Sequence, residues 1–101
     1  ALRQYELAAD AGHIKAQYFL GVIYYDRDIT QKDYFKAAKW LRLAAEQGHA
    51  DAQFRLGFLY YNGLGVEKNV EEAIKWLTLA AKQEHYYAKS ILKQLTEEQK
   101  K

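Results

Sequence analysis

Apolar positions along the chain fall into helical spacing twice in every stretch of 36 residues. Ala52, Leu56, Leu59 and Tyr60 stand at i, i+4, i+7 and i+8, one face of a helix from about Ala50 to Tyr61. Ala73, Trp76, Leu77, Ala80 and Ala81 follow i, i+3, i+4, i+7 and i+8 on a second helix. This second helix begins after Asn69, a good N-cap with Glu72 in the capping-box position, and stops near Gln83. Asp33 fills the same cap position one unit earlier. Between the helices, Asn62-Gly63-Leu64-Gly65 supplies the positive-φ residues of a tight turn, while Gly12 and Gly48 suit left-handed caps at the ends of second helices. Each unit is therefore a helical hairpin, with a first helix A and a second helix B.

The hairpin recurs. Shifting the chain by 36 residues aligns residues 8–43 with 44–79, and 16 of the 36 positions are identical. Ala8, Ala9, Gly12, His13, Ala16, Gln17, Leu20, Gly21, Tyr24 and Tyr25 return as Ala44, Ala45, Gly48, His49, Ala52, Gln53, Leu56, Gly57, Tyr60 and Tyr61. Lys32, Ala37, Lys39, Trp40, Leu41 and Leu43 return as Lys68, Ala73, Lys75, Trp76, Leu77 and Leu79. A third, incomplete copy runs through Ala80, Ala81, Gln83, His85, Ala88, Leu92 and Leu95.

A lone hairpin of this length cannot bury both apolar faces, so the units must stack. The expected architecture is all-α: a solenoid of antiparallel helix pairs forming one elongated domain. Gly21 and Gly57 lie inside helix A, where each costs roughly 0.5–1 kcal/mol relative to Ala. The offsetting gain is close approach of helices A and B, with Ala16, Ala37, Ala52 and Ala73 lining the contact and Trp40 and Trp76 filling the wedge beside it. A ball with a radius of gyration near 13 Å and no translational order among its helices would contradict this picture.

The ends depart from the pattern. Residues 1–11 align with the second half of a helix B, carrying Gln4 where Trp40 and Trp76 stand, as in a piece cut from a longer array. Residues 12–47 and 48–83 are the two full repeats, and 84–101 form a partial one. There Lys93, Gln94 and Thr96 replace Gly57, Phe58 and Tyr60, the polar outer face that a capping helix needs; that helix is expected from Tyr86 to about Lys100.

Composition narrows the function. The chain of 101 residues is 50% hydrophobic and 28% charged, too apolar for disorder and too interrupted by charge for a membrane span. The net charge of +2 is shared evenly, seven basic against six acidic residues in the first 50 and eight against seven thereafter. No one-sided basic footprint of a nucleic-acid binder is present. Without Cys, disulfides and thiolate chemistry are excluded and the compartment is left open.

The pattern A-x-x-x-L-G-x-x-Y-x-x-G-x-G-V followed by K-W-L-x-x-A-A-x-x-G resembles the Sel-one-like repeat family, a relative of the tetratricopeptide repeats. Ala52, Leu56, Gly57, Tyr60, Gly63, Gly65, Val66, Ala73, Trp76, Ala80 and Ala81 carry the match. Arg27 and Ile29 replace the two loop glycines in the first repeat, and Glu84 replaces the last terminal glycine, so the first A-to-B loop is expected to differ. The resemblance implies a right-handed superhelix. It also implies an adaptor or scaffold, as in bacterial envelope, secreted and host-interaction proteins and eukaryotic quality-control complexes. It fixes no ligand and no localisation, whether envelope, secreted or cytoplasmic.

In such solenoids the A helices line the concave side. The stripe of helix A turned away from the hairpin core is Lys15, Phe19, Val22 and Asp26, with equivalents Asp51, Arg55, Phe58 and Asn62, then Tyr87, Ile91, Gln94 and Glu98. None of these columns is identical in all three copies, whereas the core columns barely change. The stripe is thus the expected site for an extended or helical peptide from a partner protein. The alternative is that Phe19 and Phe58 merely pack between repeats beneath a solvated surface.

Chemical readings fare worse. His13, His49 and His85 share one column, but equivalent residues in stacked repeats stand about 10 Å apart, too far to share an ion that needs bonds near 2 Å. They read instead as turn residues near the C-terminal end of helix B, where a protonated imidazole suits the dipole. Ser90-Ile91-Leu92-Lys93 matches an S-x-x-K signature, but S-D-N and K-T-G are missing, and His85 points about 140° away from Ser90 on a helix. Gly63-Leu64-Gly65 follows a helix and not a strand, unlike a phosphate loop. The adjacent acids Glu71 and Glu72, and Glu97 and Glu98, diverge. No cofactor, metal or catalytic residue is assigned. Two other classes remain as alternatives to the interaction module. One is a β-lactam-type hydrolase, suggested by cysteine-rich relatives whose cysteines this chain lacks; the other is a single-stranded RNA-binding repeat, which needs a basic groove.

Overall fold

The computed structural model describes residues 2–27 and 31–99. The helices are α1 (Leu2–Asp10), α2 (Ile14–Arg27), α3 (Gln31–Glu46), α4 (Ala50–Asn62), α5 (Val70–Lys82) and α6 (Tyr86–Gln99), with no strand among the described residues. Ile29 and Lys100, and with Ile29 the expected departure of the first A-to-B loop, lie outside them. Helices α2, α4 and α6 are A helices; α1, α3 and α5 are B helices.

Each helix packs chiefly on its neighbours in sequence, so the chain is an all-α solenoid. Its extents are 46 × 28 × 16 Å, yet the radius of gyration is 13.4 Å. That value matches a compact domain of about a hundred residues, roughly 13 Å. Six helices are too few for this quantity to separate a rod from a ball. The axial ratio and the sequential packing make the distinction.

The core forms two clusters along the stack, a larger one from Ala9 to Trp76 and a smaller one of Leu77, Ala80, Ala88 and Leu95, with Tyr61 packed against both. Leu20, Leu41, Leu56, Leu59 and Leu77 are fully buried, with Ala37, Ala44, Ala52, Ala73, Ala80 and Ala88 between them. A methyl group on Gly21 would meet Leu41 Cγ at 2.5 Å, and one on Gly57 would meet Leu77 Cγ at 2.9 Å and the Ala73 carbonyl at 3.1 Å. The two glycines therefore set the close approach within each hairpin, as their column predicts. Trp40 and Trp76 are buried, and the ammonium groups of Lys39 and Lys75 sit 5.2 and 5.0 Å from their respective ring centres.

Glycine ends the first two B helices as expected: φ is 96° at Gly12 and 95° at Gly48, and Glu84 keeps the left-handed turn at φ 65°. One pair of backbone bonds closes all three turns: His13, His49 and His85 N–H donate to Ala8, Ala44 and Ala80 carbonyls, and the preceding residues donate to Ala9, Ala45 and Ala81. In the A-to-B turn, Gly63 (φ 68°) and Gly65 (φ 71°) are left-handed, again as expected.

Three local expectations are corrected. His49 and His85 serve the following helix: each Nδ1 accepts the N–H of a residue three positions on, Ala52 or Ala88, at 3.2 Å. These rings therefore act as N-caps of helix A and not as residues serving the end of helix B. Asp33 lies in the first turn of α3, which starts at Gln31, where its charge still suits the helix dipole. Asn69 does cap α5, accepting from Glu72 N–H at 3.1 Å, but its own N–H donates to Tyr60 carbonyl, so the reciprocal arm of a capping box is absent.

Candidate protein-binding surface

The stripe on the A helices begins from local helix geometry. Lys15 and Asp51 lie in the first turns of α2 and α4, Phe19 and Arg55 one turn on, Val22 and Phe58 next, and Asp26 and Asn62 at the far ends. Lys15, Asp26, Asp51 and Asn62 are exposed; Val22, Arg55 and Phe58 are half-buried. Phe19 is 48% exposed and rests against Tyr5 and Tyr18, with ring centres 5.9 and 6.0 Å apart. In the third copy Tyr87 is 63% exposed, Ile91 half-buried, and Gln94 and Glu98 exposed.

These residues do not form one uniform set. Asp51 turns to His85, whose Nε2 lies 2.7 Å from its Oδ1. Asn62 donates to the Phe58 carbonyl of its own helix at 3.0 Å, and Glu98 accepts from the Tyr61 hydroxyl at 3.4 Å. Arg55 and Phe58 do come together: with Tyr25 and Phe54 they line a recess of about 130 Å³.

Tyr18, Tyr25 and Phe54 belong to this surface although the stripe omits them. The Arg55 Nε–H donates to the Tyr18 hydroxyl at 3.1 Å, and its guanidinium lies 5.9 Å from the ring centres of both Tyr18 and Tyr25. Tyr25 packs edge-on to Tyr34 at 5.6 Å. Burial raises the Tyr25 hydroxyl pKa, assisted by Tyr34 and Asp26 and opposed by the Arg55 charge. The available signal was the column itself: Tyr18 and Phe54 are equivalent aromatics one position from the stripe.

The same column builds the junctions. Tyr18 stacks on His49 with centres 4.4 Å apart, and Phe54 stacks on His85 at 4.7 Å. Burial lowers the His49 pKa, with Lys15 adding to the effect and Asp51 opposing it. Buried Gln17 and Gln53, each 4% exposed, donate to the Ala9 and Ala45 carbonyls at 3.1 and 3.2 Å. They accept from Gln47 and Gln83 at 2.6 and 3.1 Å. The bonds to the alanine carbonyls join successive repeats and the glutamine pairs brace each repeat internally, in columns identical in both copies.

Among the described residues no three His, Asp or Glu side chains gather where they could hold a metal ion, and no helix is long and apolar enough to cross a membrane.

The Sel1 repeat profile matches residues 1–13, 14–49 and 50–85. A Sel1 repeat protein from Oxalobacter formigenes superposes with a TM-score of 0.84 at 41% identity, over 90% of this chain and 26% of that one. A protective antigen present in uropathogenic Escherichia coli strains, with an SLR fold, gives 0.81 at 38% identity, over 91% and 20%. The chain thus spans about a quarter or less of the length of these relatives. No curated protein matches it.

Proposed function

The chain belongs to the Sel1 repeat family, and we propose that it is a non-catalytic adaptor or scaffold that receives a partner protein or peptide on the face lined by its A helices. Members of the family generally serve as protein-interaction modules. The proposed surface comprises Lys15, Phe19, Val22, Asp26, Asp51, Arg55, Phe58 and Asn62, on the concave side. A single observation carries the reading: Arg55 and Phe58, at positions that the repeat does not dictate, open with Tyr25 and Phe54 onto a recess walled by aromatic rings. Aromatic residues and Arg are the types that most often anchor partners, because they bury a large area at small entropic cost and still offer a polar contact.

The RNA reading lacks support by comparison. A base-reading groove draws on a surplus of cations, and the charge here is balanced in both halves of the chain.

The test replaces Arg55 and Phe58 with Ala together. Proteins retained by the immobilised wild-type chain are identified, and the double variant is assayed against them after circular dichroism has shown that it is folded. Capture should weaken about tenfold or more. Equal capture by the folded variant removes this face from consideration.

A further inference from the structure

Arg55 is held as a receptor. Its Nε–H is committed to the Tyr18 hydroxyl at 3.1 Å, and its guanidinium lies 5.9 Å from the ring centres of both Tyr18 and Tyr25. No carboxylate among the described residues pairs with it; Asp51 on the same helix is engaged by His85 instead. A guanidinium has five N–H donors, so the outer fork is left to bind a carboxylate through two parallel bonds. Such a cation, half-buried and paired with no carboxylate among the described residues, suits a ligand of single negative charge.

The recess sets the second requirement. Its volume of about 130 Å³ approaches the ~150 Å³ of a dry cavity that admits benzene, so it takes one side chain of Leu or Phe size. Arg55 is itself part of the wall, so the carboxylate and the apolar group must lie close together. Within an extended peptide, neighbouring side chains point to opposite faces, and same-face side chains are about 7 Å apart. A C-terminal residue instead carries both groups on one Cα.

Resting on the interaction-module reading, we infer that this recess takes the C-terminal residue of a partner polypeptide, its apolar side chain among Tyr25, Phe54 and Phe58 and its α-carboxylate on Arg55. The carboxylate supplies orientation and the rings supply burial, a mode of terminus capture that reads no long sequence.

The probes are N-acetyl-L-leucine, N-acetyl-L-leucinamide and N-acetylglycine, titrated into the isotope-labelled chain and followed by NMR at the Arg55 Nε–H and the rings of Tyr25, Phe54 and Phe58. N-acetyl-L-leucine should saturate with a millimolar dissociation constant, as expected for so small a ligand. The amide and the glycine derivative should each bind about tenfold more weakly. Arg55→Gln should abolish the preference for acid over amide, and Arg55→Lys should retain it in part, since Lys offers the charge without the fork. Equal binding of acid and amide, or no saturation at these resonances, overturns the inference. The two readings separate with captured partners: if amidating a partner's C-terminus changes nothing while Arg55→Ala with Phe58→Ala still abolishes capture, terminus recognition fails and the interaction face stands.

Discussion

Gly57→Ala tests the physical premise of the fold. Helix propensity alone favours the substitution by about 0.5–1 kcal/mol. Packing opposes it: the new methyl would lie 2.9 Å from Leu77 Cγ and 3.1 Å from the Ala73 carbonyl oxygen. Leu77 and Ala73 are fully buried and one of the contacts is backbone, so relief requires α4 and α5 to separate. Overpacking of this kind costs about 1–3 kcal/mol, which leaves a net loss of about 1 kcal/mol and a melting temperature lower by roughly 4–8 °C. Thermal and urea unfolding followed at 222 nm read both quantities. Two controls isolate the cause. In a Leu77→Ala background the cost should shrink or reverse, a coupling of about 1 kcal/mol. At the equivalent position in α6, Lys93 is exposed, so Lys93→Gly should lose the propensity term of about 0.5–1 kcal/mol with no packing gain to offset it. A Gly57→Ala variant that melts at or above the wild-type temperature would refute the claim that this glycine sets the helix separation.

Acid should weaken the repeat junctions through His49. Its folded pKa is lowered by burial, so the unfolded chain takes up the proton first, near pH 6.5. The stabilisation by neutral His49 is then complete above that pH and is lost as pH falls through the depressed folded value. Urea midpoints should fall from neutral pH to about pH 5.5, and less steeply for His49→Asn, whose amide keeps the N-cap without titrating; identical slopes would refute the assignment. Glu84→Gly should raise the melting temperature by a few degrees. A non-glycine residue at φ 65° is strained by about 1 kcal/mol or more, against which the exposed Glu84–Lys89 pair weighs little. A lower melting temperature would show that the pair outweighs the strain.

The period, the helix pairs and the glycine contacts were legible because close packing leaves few choices: the residue that fits between α2 and α3 also fits between α4 and α5, so Gly21 and Gly57, or Leu41 and Leu77, repeat. The histidine column was visible but assigned to the wrong helix. Gly48 already ends α3, and His49 begins the task of capping α4 in the very next residue, so two caps stand back to back where a turn has room for only one label. Asp33 failed for the converse reason, since an identical offset was assumed where α3 starts three residues earlier than the α5 frame implies.

Arg55 illustrates what a column cannot convey. It shares its place with Phe19 and Ile91, so repeat comparison marks the position as free. Its orientation comes from Tyr18, which lies 37 residues earlier in the preceding A helix, and the recess it borders combines Tyr25 of α2 with Phe54 and Phe58 of α4. The chemistry therefore resides at the junction between repeats, with variable residues held by aromatics in nearly constant columns. Exchanging one repeat for another would therefore alter the recesses on both of its sides.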